Sequence, residues 1–282
     1  MIKKFYHFLL DVRDRQSMVL AVSKGTVAML SRKINLQLPG TWEFSGFSQN
    51  GEDRILDVLR GQLNSEDRCF IEIGSSDGIQ NNSSWLVMVG QYRGLMVEGD
   101  PFLAQRGDRL ITPYSTGVEY LHMFVTRDNV MRLKDKAPHS NPDVFSLDID
   151  GVDYYIAEAV LKFGIRPKIF VVEYNSVYGP ERSATVPYRE GFSFSEAHPT
   201  RLYYGVSVSA WRKFFAQHGY RFVTVDSKGV NAFFVDPKYF DPGFLDGIKS
   251  VDYVENEYQR RKFGFSSDKQ FELIKDQEFV RV

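Results

Sequence analysis

RFVTVDSKGVNAFFV, residues 221–235, is the stretch of sequence that decides the fold. Two segments rich in β-branched and aromatic residues flank Ser227-Lys228-Gly229, a pattern that predicts a β-hairpin with a glycine turn. Residues 207–218, which precede it, are predicted to form a helix that ends at Gly219. The chain therefore reaches its last two strands through a helix, and those two strands run in opposite directions.

The sequence before the hairpin alternates between short apolar segments and segments of helical period. Strands are predicted at residues 69–73, 93–98, 143–148 and 168–174, with a poorer strand pattern near 111–118. Helices are predicted near 81–90, 101–108 and 153–163. This alternation indicates an α/β fold with a mostly parallel sheet that is covered on both faces. A common dinucleotide-binding domain lacks the reversed strand that the hairpin adds.

Composition limits the class of protein. The 282 residues suit one large domain, and 35 basic against 36 acidic residues give no basic excess that would favour a nucleic-acid partner. The single cysteine, Cys69, excludes an internal disulfide framework and is predicted to lie in the core, within the apolar run CFIEI. No apolar run of about 20 residues predicts a spanning helix. The first residues do not read as a secretory signal, so we expect a cytoplasmic protein.

Residues 1–40 are predicted to be a helical extension of the domain, broken at Pro39-Gly40. Its first apolar residues recur at helical spacing and are Phe5, Phe8, Leu9 and Val12. Basic residues, beginning with Lys3 and Lys4, outnumber the acidic ones. We expect this helix to pack on its own domain or on a second copy of the chain, and the alternative for residues 1–35 is an anionic membrane surface.

Residues 41–240 are predicted to form the α/β domain, and residues 241–282 a C-terminal tail or helix. Within the domain, residues 175–206 are too long for an ordinary connection between a strand and a helix. The segment is rich in Tyr, Phe, Ser, Pro and Gly, so we interpret it as an insertion that faces the substrate. His198 within it is a candidate general base, and Arg201, Tyr203 and Tyr204 are candidates to face a sugar or an acidic group.

IEIGSSDG, residues 71–78, ends a strand and opens a glycine turn. Gly74 and Gly78 allow the backbone to approach a ligand closely, and the turn places that ligand at the carboxyl end of the sheet. The spacing is GxxxG, whereas a dinucleotide pyrophosphate site has GxGxxG. Glu72 suits the zwitterionic amino-acid end of a ligand. Glu98 ends the next strand and can accept hydrogen bonds from both hydroxyls of a ribose.

Acidic residues also end the next two predicted strands. Asp148 and Asp150 share one face if the strand continues through them, and Glu173 and Asn175 alternate in the same way. Clustered carboxylates need a cation or a substrate that offsets their repulsion. One of them could act as a general base on a hydroxyl, or these four residues could bind Mg²⁺ or another divalent cation. The alternative is that Asp148 only positions a cofactor while Asp150 and Asp153 cap the next helix.

Several of these motifs occur in the order that is found in a known family. Residues 48–53 (SQNGED), 70–78 (FIEIGSSDG), 97–98 (VE), 146–151 (SLDIDG) and 172–175 (VEYN) resemble successive motifs of the FkbM-like methyltransferases. The resemblance spans about residues 48–236. The chain departs from the family where it reads Gly-Ser-Ser-Asp-Gly and Asp-Ile-Asp-Gly. Many members read Gly-Ala-Asn-Asp-Gly and Asp-Val/Ile-Glu-Gly there.

The resemblance implies a class I methyltransferase fold, which is Rossmann-like with a seven-stranded sheet, and S-adenosylmethionine as cofactor. It implies that the glycine motif lines the methionine end, that Glu98 holds the ribose and that Asp148 lies near the transferred methyl group. The implied cofactor-binding residues are Gln49, Glu72, Gly74, Ser75, Ser76, Asp77, Gly78, Glu98 and Asp148.

Members of the family often methylate hydroxyls of sugars or secondary metabolites. The resemblance therefore implies an O-methyltransferase with a glycan or natural-product acceptor, which is an argument by analogy. A nicotinamide-dependent oxidoreductase and a non-catalytic scaffold of the same fold are the alternatives.

Overall fold

The computed structural model describes the backbone of residues 2–282 and the side chains of residues 9–282. Part of the N-terminal prediction therefore lies outside the described side chains, namely Lys3, Lys4, Phe5 and Phe8. The strands are β1 (Cys69–Ile73), β2 (Arg93–Glu98), β3 (Val118–His122), β4 (Val144–Leu147), β5 (Ile169–Glu173), β6 (Ala184–Thr185), β7 (Arg221–Val225), β8 (Asn231–Val235) and β9 (Val280–Arg281).

Seven strands form one sheet in the order β3-β2-β1-β4-β5-β8-β7. The pairs from β3 to β5 are all parallel, and β8 runs antiparallel to both of its neighbours. The chain moves outward from β1 in one direction through β2 and β3, and in the other through β4 and β5, so a switch point lies between β1 and β4. This is the class I methyltransferase arrangement, and the predicted fold with its closing hairpin is confirmed.

Helices cover both faces of this sheet. They are α1 (Ile2–Ser31), α2 (Glu52–Gly61), α3 (Ser84–Met88), α4 (Pro101–Ile111), α5 (Arg132–Lys136), α6 (Asp153–Lys162), α7 (Phe194–Ala197), α8 (Val208–Gln217), α9 (Pro242–Gly247), α10 (Glu257–Phe263) and α11 (Ser267–Phe271). Over residues 2–282, none of them combines the length and the apolar character that crossing a bilayer requires.

The third strand differs from its prediction near residues 111–118. The apolar pair Leu110 and Ile111 is buried by the last turn of α4, and a 3-10 helix, Thr112–Tyr114, follows it. The strand begins only after Gly117, whose φ of +88° lets the chain turn. Since β3 is the edge strand and most of its side chains are at least partly exposed, its sequence carries little apolar pattern.

Alternation along β1 shows how the two faces of the sheet are covered. Ile71 and Ile73 join the cluster that surrounds Trp211, while Phe70 joins the cluster that contains Trp42 and Trp85. Cys69 is fully buried, as predicted, and burial raises the pKa of its thiol to about 11. A sheet with two apolar faces explains why its strands are almost continuously hydrophobic.

A buried ion pair closes the amino-terminal edge of the sheet, opposite the ends that carry the acidic motifs. The Lys168 ammonium lies 2.7 Å from a carboxylate oxygen of Asp143 and 2.7 Å from one of Asp67. The Asp143 carboxylate has no exposed surface and also accepts the backbone N–H groups of Asp67 and Arg68. Lys168 is therefore the main countercharge for a carboxylate that water cannot reach.

Lys168→Met should lower the free energy of unfolding by about 3–5 kcal/mol, because it leaves the charge of Asp143 buried and uncompensated. Adding Asp143→Asn to that variant should recover part of the loss. Lys162→Met, at an exposed lysine, is the control and should stay within about 0.5 kcal/mol of the parent chain. Urea denaturation measures all three, and similar values for the two lysine variants would contradict the role of this pair.

Candidate functional site

A cleft of about 430 Å³ opens at the carboxyl ends of β1, β2 and β4. Such a volume is in the range of small-molecule sites. Six residues that the sequence singled out lie on its wall, namely Gln49, Gly74, Ser76, Glu98, Asp148 and Asp150. Strands that are far apart in sequence therefore bring the glycine turn and two of the acidic motifs to one place.

The glycine turn packs directly on the loop after β4. Gly74 has a φ of +85°, and a Cβ at this position would lie 1.7 Å from the backbone oxygen of Asp148. A Cβ on Gly78 would lie 2.6 Å from Ile111 of α4. Both glycines are thus required by contacts within the protein, and the close approach that the sequence suggested for a ligand is made first by the chain itself.

Glu98 joins the end of β2 to the glycine turn. One carboxylate oxygen accepts the backbone N–H of Ser76 at 2.8 Å, and the other accepts that of Asp100 at 2.8 Å. Tyr120 fixes the same turn from β3, since its hydroxyl lies 2.7 Å from the carbonyl oxygen of Ser76. Each oxygen of Glu98 keeps a lone pair that can face the cleft.

Four residues predicted to bind the cofactor support the turn from behind and are not on the cleft wall, namely Glu72, Ser75, Asp77 and Gly78. Glu72 is buried and accepts hydrogen bonds from the Asn81 side chain at 2.9 Å and the Asn82 backbone at 2.8 Å. Burial raises the pKa of Glu72 to about 8. The structure therefore gives Glu72 a position beneath the turn rather than on the surface of the site.

Asp77 is held by Arg106 of α4, whose guanidinium lies 2.8 Å from its carboxylate. The same guanidinium donates two hydrogen bonds, of 3.0 and 2.8 Å, to the buried Asp14 of α1. The N-terminal helix and the glycine turn thus share one cation.

Three carboxylates, those of Asp148, Asp150 and Glu173, converge beside the cleft. One oxygen of each lies within 4.8 Å of the others. Glu173 is buried, and its Oε1 accepts a hydrogen bond of 3.2 Å from the hydroxyl of Tyr204, whereas its Oε2 has no partner. A buried carboxylate oxygen without a hydrogen-bond partner is costly, so this cluster lowers the stability of the fold.

The environment favours the neutral form of these acids. Burial, followed by the charge of Asp150, raises the pKa of Asp148 well above its usual range. Burial, followed by the charge of Asp148, does the same for the pKa of Glu173. The pKa of Asp150 is raised as well, because the cleft removes part of its water, although the residue remains exposed at the rim.

The loop that carries Asp150 is held in a strained form by the next helix. Asp150 has a φ of +51°, in the left-handed region that non-glycine residues rarely adopt. The carboxylate of Asp153 accepts the backbone N–H groups of Ile149 and Gly151, each at 3.0 Å. Asp153 therefore stabilises this loop, and no described side chain caps the first turn of α6, so the alternative in which Asp150 and Asp153 cap that helix is not what the structure shows. Asp150 itself lines the cleft.

Asn175, a predicted site residue, makes contacts away from the acidic cluster. The Asn175 side chain donates to the carbonyls of Leu202 and Tyr204, and its oxygen accepts from Val177 and Gln259. These contacts give Asn175 a structural role, and its predicted role as a metal ligand stays a prediction.

The ring of His198 contacts the Thr200 hydroxyl at 2.8 Å and is absent from the cleft wall. The structure therefore does not bring this candidate base to the acidic cluster. The insertion instead contributes Tyr204, which the sequence had marked as a candidate to face a sugar or an acidic group, and Phe192 on the cleft wall, which it had not marked.

Comparison with known proteins finds distant similarity. No protein-family model and no curated protein matches the chain. An O-methyltransferase from Bacillus cereus in complex with SAH shares 16% identity and a TM-score of 0.43, over 78% of this chain and 89% of that one. The O-methyltransferase TomG from Streptomyces achromogenes, involved in tomaymycin synthesis and solved in complex with SAM, has 18% sequence identity and a TM-score of 0.44, over 76% of this chain and 94% of that one. Similarity at this level carries no argument about the reaction, so the fold assignment rests on strand order and direction.

Gly74→Ala should lower the free energy of unfolding by more than the strain of a positive φ accounts for, because the alanine Cβ would clash with the backbone oxygen of Asp148. Gly191→Ala is the matched control, since Gly191 has a φ of +71° but nothing within 4 Å of its Cβ position. We expect the control to lose about 1–2 kcal/mol and Gly74→Ala about 1–3 kcal/mol more. Urea denaturation measures both, and equal losses would show that the two loops are not in tight contact.

Proposed function

We propose that this chain is an S-adenosylmethionine-dependent O-methyltransferase. The observation that carries the proposal is that the Gly74 turn, Glu98 and Asp148 border one cleft, beside the switch point of a sheet with class I methyltransferase topology. Ligands of open α/β sheets bind at such a switch point. The motif resemblance to FkbM-like methyltransferases, over residues 48–236, supports the same cofactor.

The polar groups on the wall suit the two ends of this cofactor. The free lone pairs of Glu98 can accept hydrogen bonds from both ribose hydroxyls. Phe124 lines the cleft next to Glu98 and is 55% exposed, so its ring is available to stack on a base. At the other end of the cleft, Gly74 and Asp148 border the space that we assign to the methionine portion.

S-adenosylmethionine supplies an electrophilic methyl group when it is bound. Asp148 and Asp150 face the cleft from the loop after β4, where an acceptor hydroxyl can approach. When it is ionised, the Asp148 carboxylate is a stronger base than that of an ordinary aspartate, because its pKa is raised, and this suits removal of the hydroxyl proton. The remaining contribution of the walls is alignment of the acceptor and exclusion of water.

As the alternative to a carboxylate base, we propose that Asp148, Asp150 and Glu173 hold a divalent cation such as Mg²⁺. Their mutual repulsion and the partnerless Oε2 of Glu173 are the observations that favour a cation. A donor set made entirely of carboxylate oxygens suits a hard divalent ion. Such an ion would acidify and orient an acceptor hydroxyl.

For the acceptor we propose a hydroxyl of a sugar, a glycan or a natural product. The basis is the family resemblance, supported by the position of the insertion. Phe192 of the insertion forms part of the cleft wall and packs against Gly151, beside the acidic cluster. An aromatic side chain in this position can cover an apolar face of a small acceptor.

The two alternatives account for fewer features. A nicotinamide-dependent oxidoreductase would have the GxGxxG turn for a pyrophosphate, whereas this turn is GxxxG and β8 is reversed. A non-catalytic scaffold would gain nothing from a buried carboxylate oxygen without a partner beside an open cleft.

Glu98→Ala should weaken S-adenosylmethionine binding by about 10- to 100-fold, the loss of one or two charge-assisted hydrogen bonds. Glu119→Ala on the neighbouring strand β3 is the control, because Glu119 lies outside the cleft wall, and it should bind as the parent chain does. Isothermal titration calorimetry with S-adenosylmethionine and with NAD⁺ measures both. Unchanged affinity in a folded Glu98→Ala chain, or tighter binding of NAD⁺, would refute the assignment.

Mg²⁺ or Mn²⁺ should bind more tightly at pH 8 than at pH 6. The raised pKa values of Asp148 and Glu173 mean that protons compete with the ion at lower pH and leave as pH rises. Asp150→Asn and Glu173→Gln should each weaken binding by about 10-fold or more. Glu158→Gln, at an exposed acid of α6, should have no effect. Calorimetry at the two pH values is the measurement, and equal affinity in the cluster and control variants would exclude this site.

A further inference from the structure

The outward face of α1 carries a largely apolar strip that none of the described side chains, residues 9–282, covers. Six apolar side chains along it are 36–77% exposed, namely Leu9, Val12, Val19, Leu20, Val27 and Leu30. At 100° per residue these six positions fall within about 100° of the helix circumference and extend over about 32 Å. Two exposed polar residues, Gln16 and Ser23, lie within the same arc, so six of its eight positions are apolar. The segment after the helix continues to expose apolar residues, namely Ile34, Leu36 and Leu38.

The opposite face of α1 fixes the helix to the domain. Met18 and Ala21 are buried in the cluster that contains Trp85, and Gly25 leaves no space for a side chain, since a Cβ there would lie 2.2 Å from the Trp85 ring. Both acidic residues of the described part of α1 also turn inward. Asp14 pairs with Arg106, and Asp11 pairs with Arg109 at 3.2 Å.

The charges that border the apolar strip are therefore basic. Arg13 and Lys24 lie about 20–40° beyond one edge of the strip, and Arg15 lies about 40° beyond the other. All three residues are exposed. The whole chain has a net charge of −1, so this basic border is a local feature and does not reflect general basicity.

A groove of about 300 Å³ runs beside the strip, between α1 and the end of α3. Its floor is apolar and includes Met18, Val22 and Met88, while Arg15 and Tyr114 stand at its rim. Tyr114 is 51% exposed and accepts a hydrogen bond from Arg15. The apolar residues of this groove could contact lipid acyl chains. The cation and the tyrosine at its edge would then lie at the level of the charged headgroups.

We propose that α1 docks this protein on an anionic lipid surface, with the helix lying in the plane of the interface. An apolar strip with a basic border is the pattern of interfacial helices. A second copy of the chain fits this face less well, because pairing like faces would bring the basic borders of the two copies together. The proposal stands independently of the proposed methyl transfer.

Vesicle co-sedimentation of the full chain tests this proposal. We expect binding to phosphatidylcholine vesicles that contain about 30 mol% phosphatidylserine, little binding to phosphatidylcholine alone, and release by about 0.5 M salt. Val19→Glu with Leu20→Glu, and separately Lys24→Glu, should each lower the partition coefficient by about 10-fold or more.

The controls lie near the C-terminus and are Leu273→Glu, at a residue after α11 that is 42% exposed, and Lys269→Glu, at an exposed lysine of α11. Both should bind vesicles as the parent chain does, and circular dichroism confirms that every variant is folded. Failure of the parent chain to bind anionic vesicles, or equal losses in the α1 variants and the two C-terminal controls, would overturn the proposal. So would a dimer in light scattering that Val19→Glu dissociates while vesicle binding is absent.

Discussion

The close contact between Gly74 and the backbone oxygen of Asp148 is the constraint on which the site depends. Because Gly74 has no side chain, the end of β1 can approach the loop after β4 closely enough for both to border one cleft. Glu98 then ties the same turn to the end of β2 through the N–H of Ser76. Three strands thereby present their last residues to a common space, and the loop that carries Asp150 is held in a left-handed conformation beside it.

Much of the fold could be predicted because its signals are local. The hairpin, the buried parallel strands and the glycine turn are each encoded within about ten neighbouring residues, and the structure confirms them. The edge strand β3 could not be located, because a partly exposed edge strand needs few apolar residues. The apolar residues that suggested a strand nearby, Leu110 and Ile111, belong to the last turn of α4. In the site, residues at strand ends could be found by alternation. The contact of Tyr204 with Glu173 could not be found in this way, because the two residues are 31 positions apart and the chain between them is mostly irregular insertion.

Buried carboxylates at the two edges of the sheet differ in how far their neighbours compensate them. At the amino-terminal edge of the sheet, Asp143 is buried but Lys168 and two backbone N–H groups satisfy it. At the carboxyl edge, Glu173 is buried with one oxygen unsatisfied, and Asp148 lies close enough to raise its pKa. The first arrangement stabilises the fold, whereas the second reduces stability. Proteins retain such a cost where a bound ion or a reaction uses it.

Arg106 connects the N-terminal helix to the glycine turn, although the two are far apart in the sequence. One guanidinium joins the buried Asp14 of α1 to Asp77 of the glycine turn, so residues before 41 are part of the frame of the cleft. Trimming the chain to its α/β core would remove one partner of this cation and uncover Trp85 at the place where Gly25 now packs. The apparent appendage therefore braces the half of the sheet that borders the cleft.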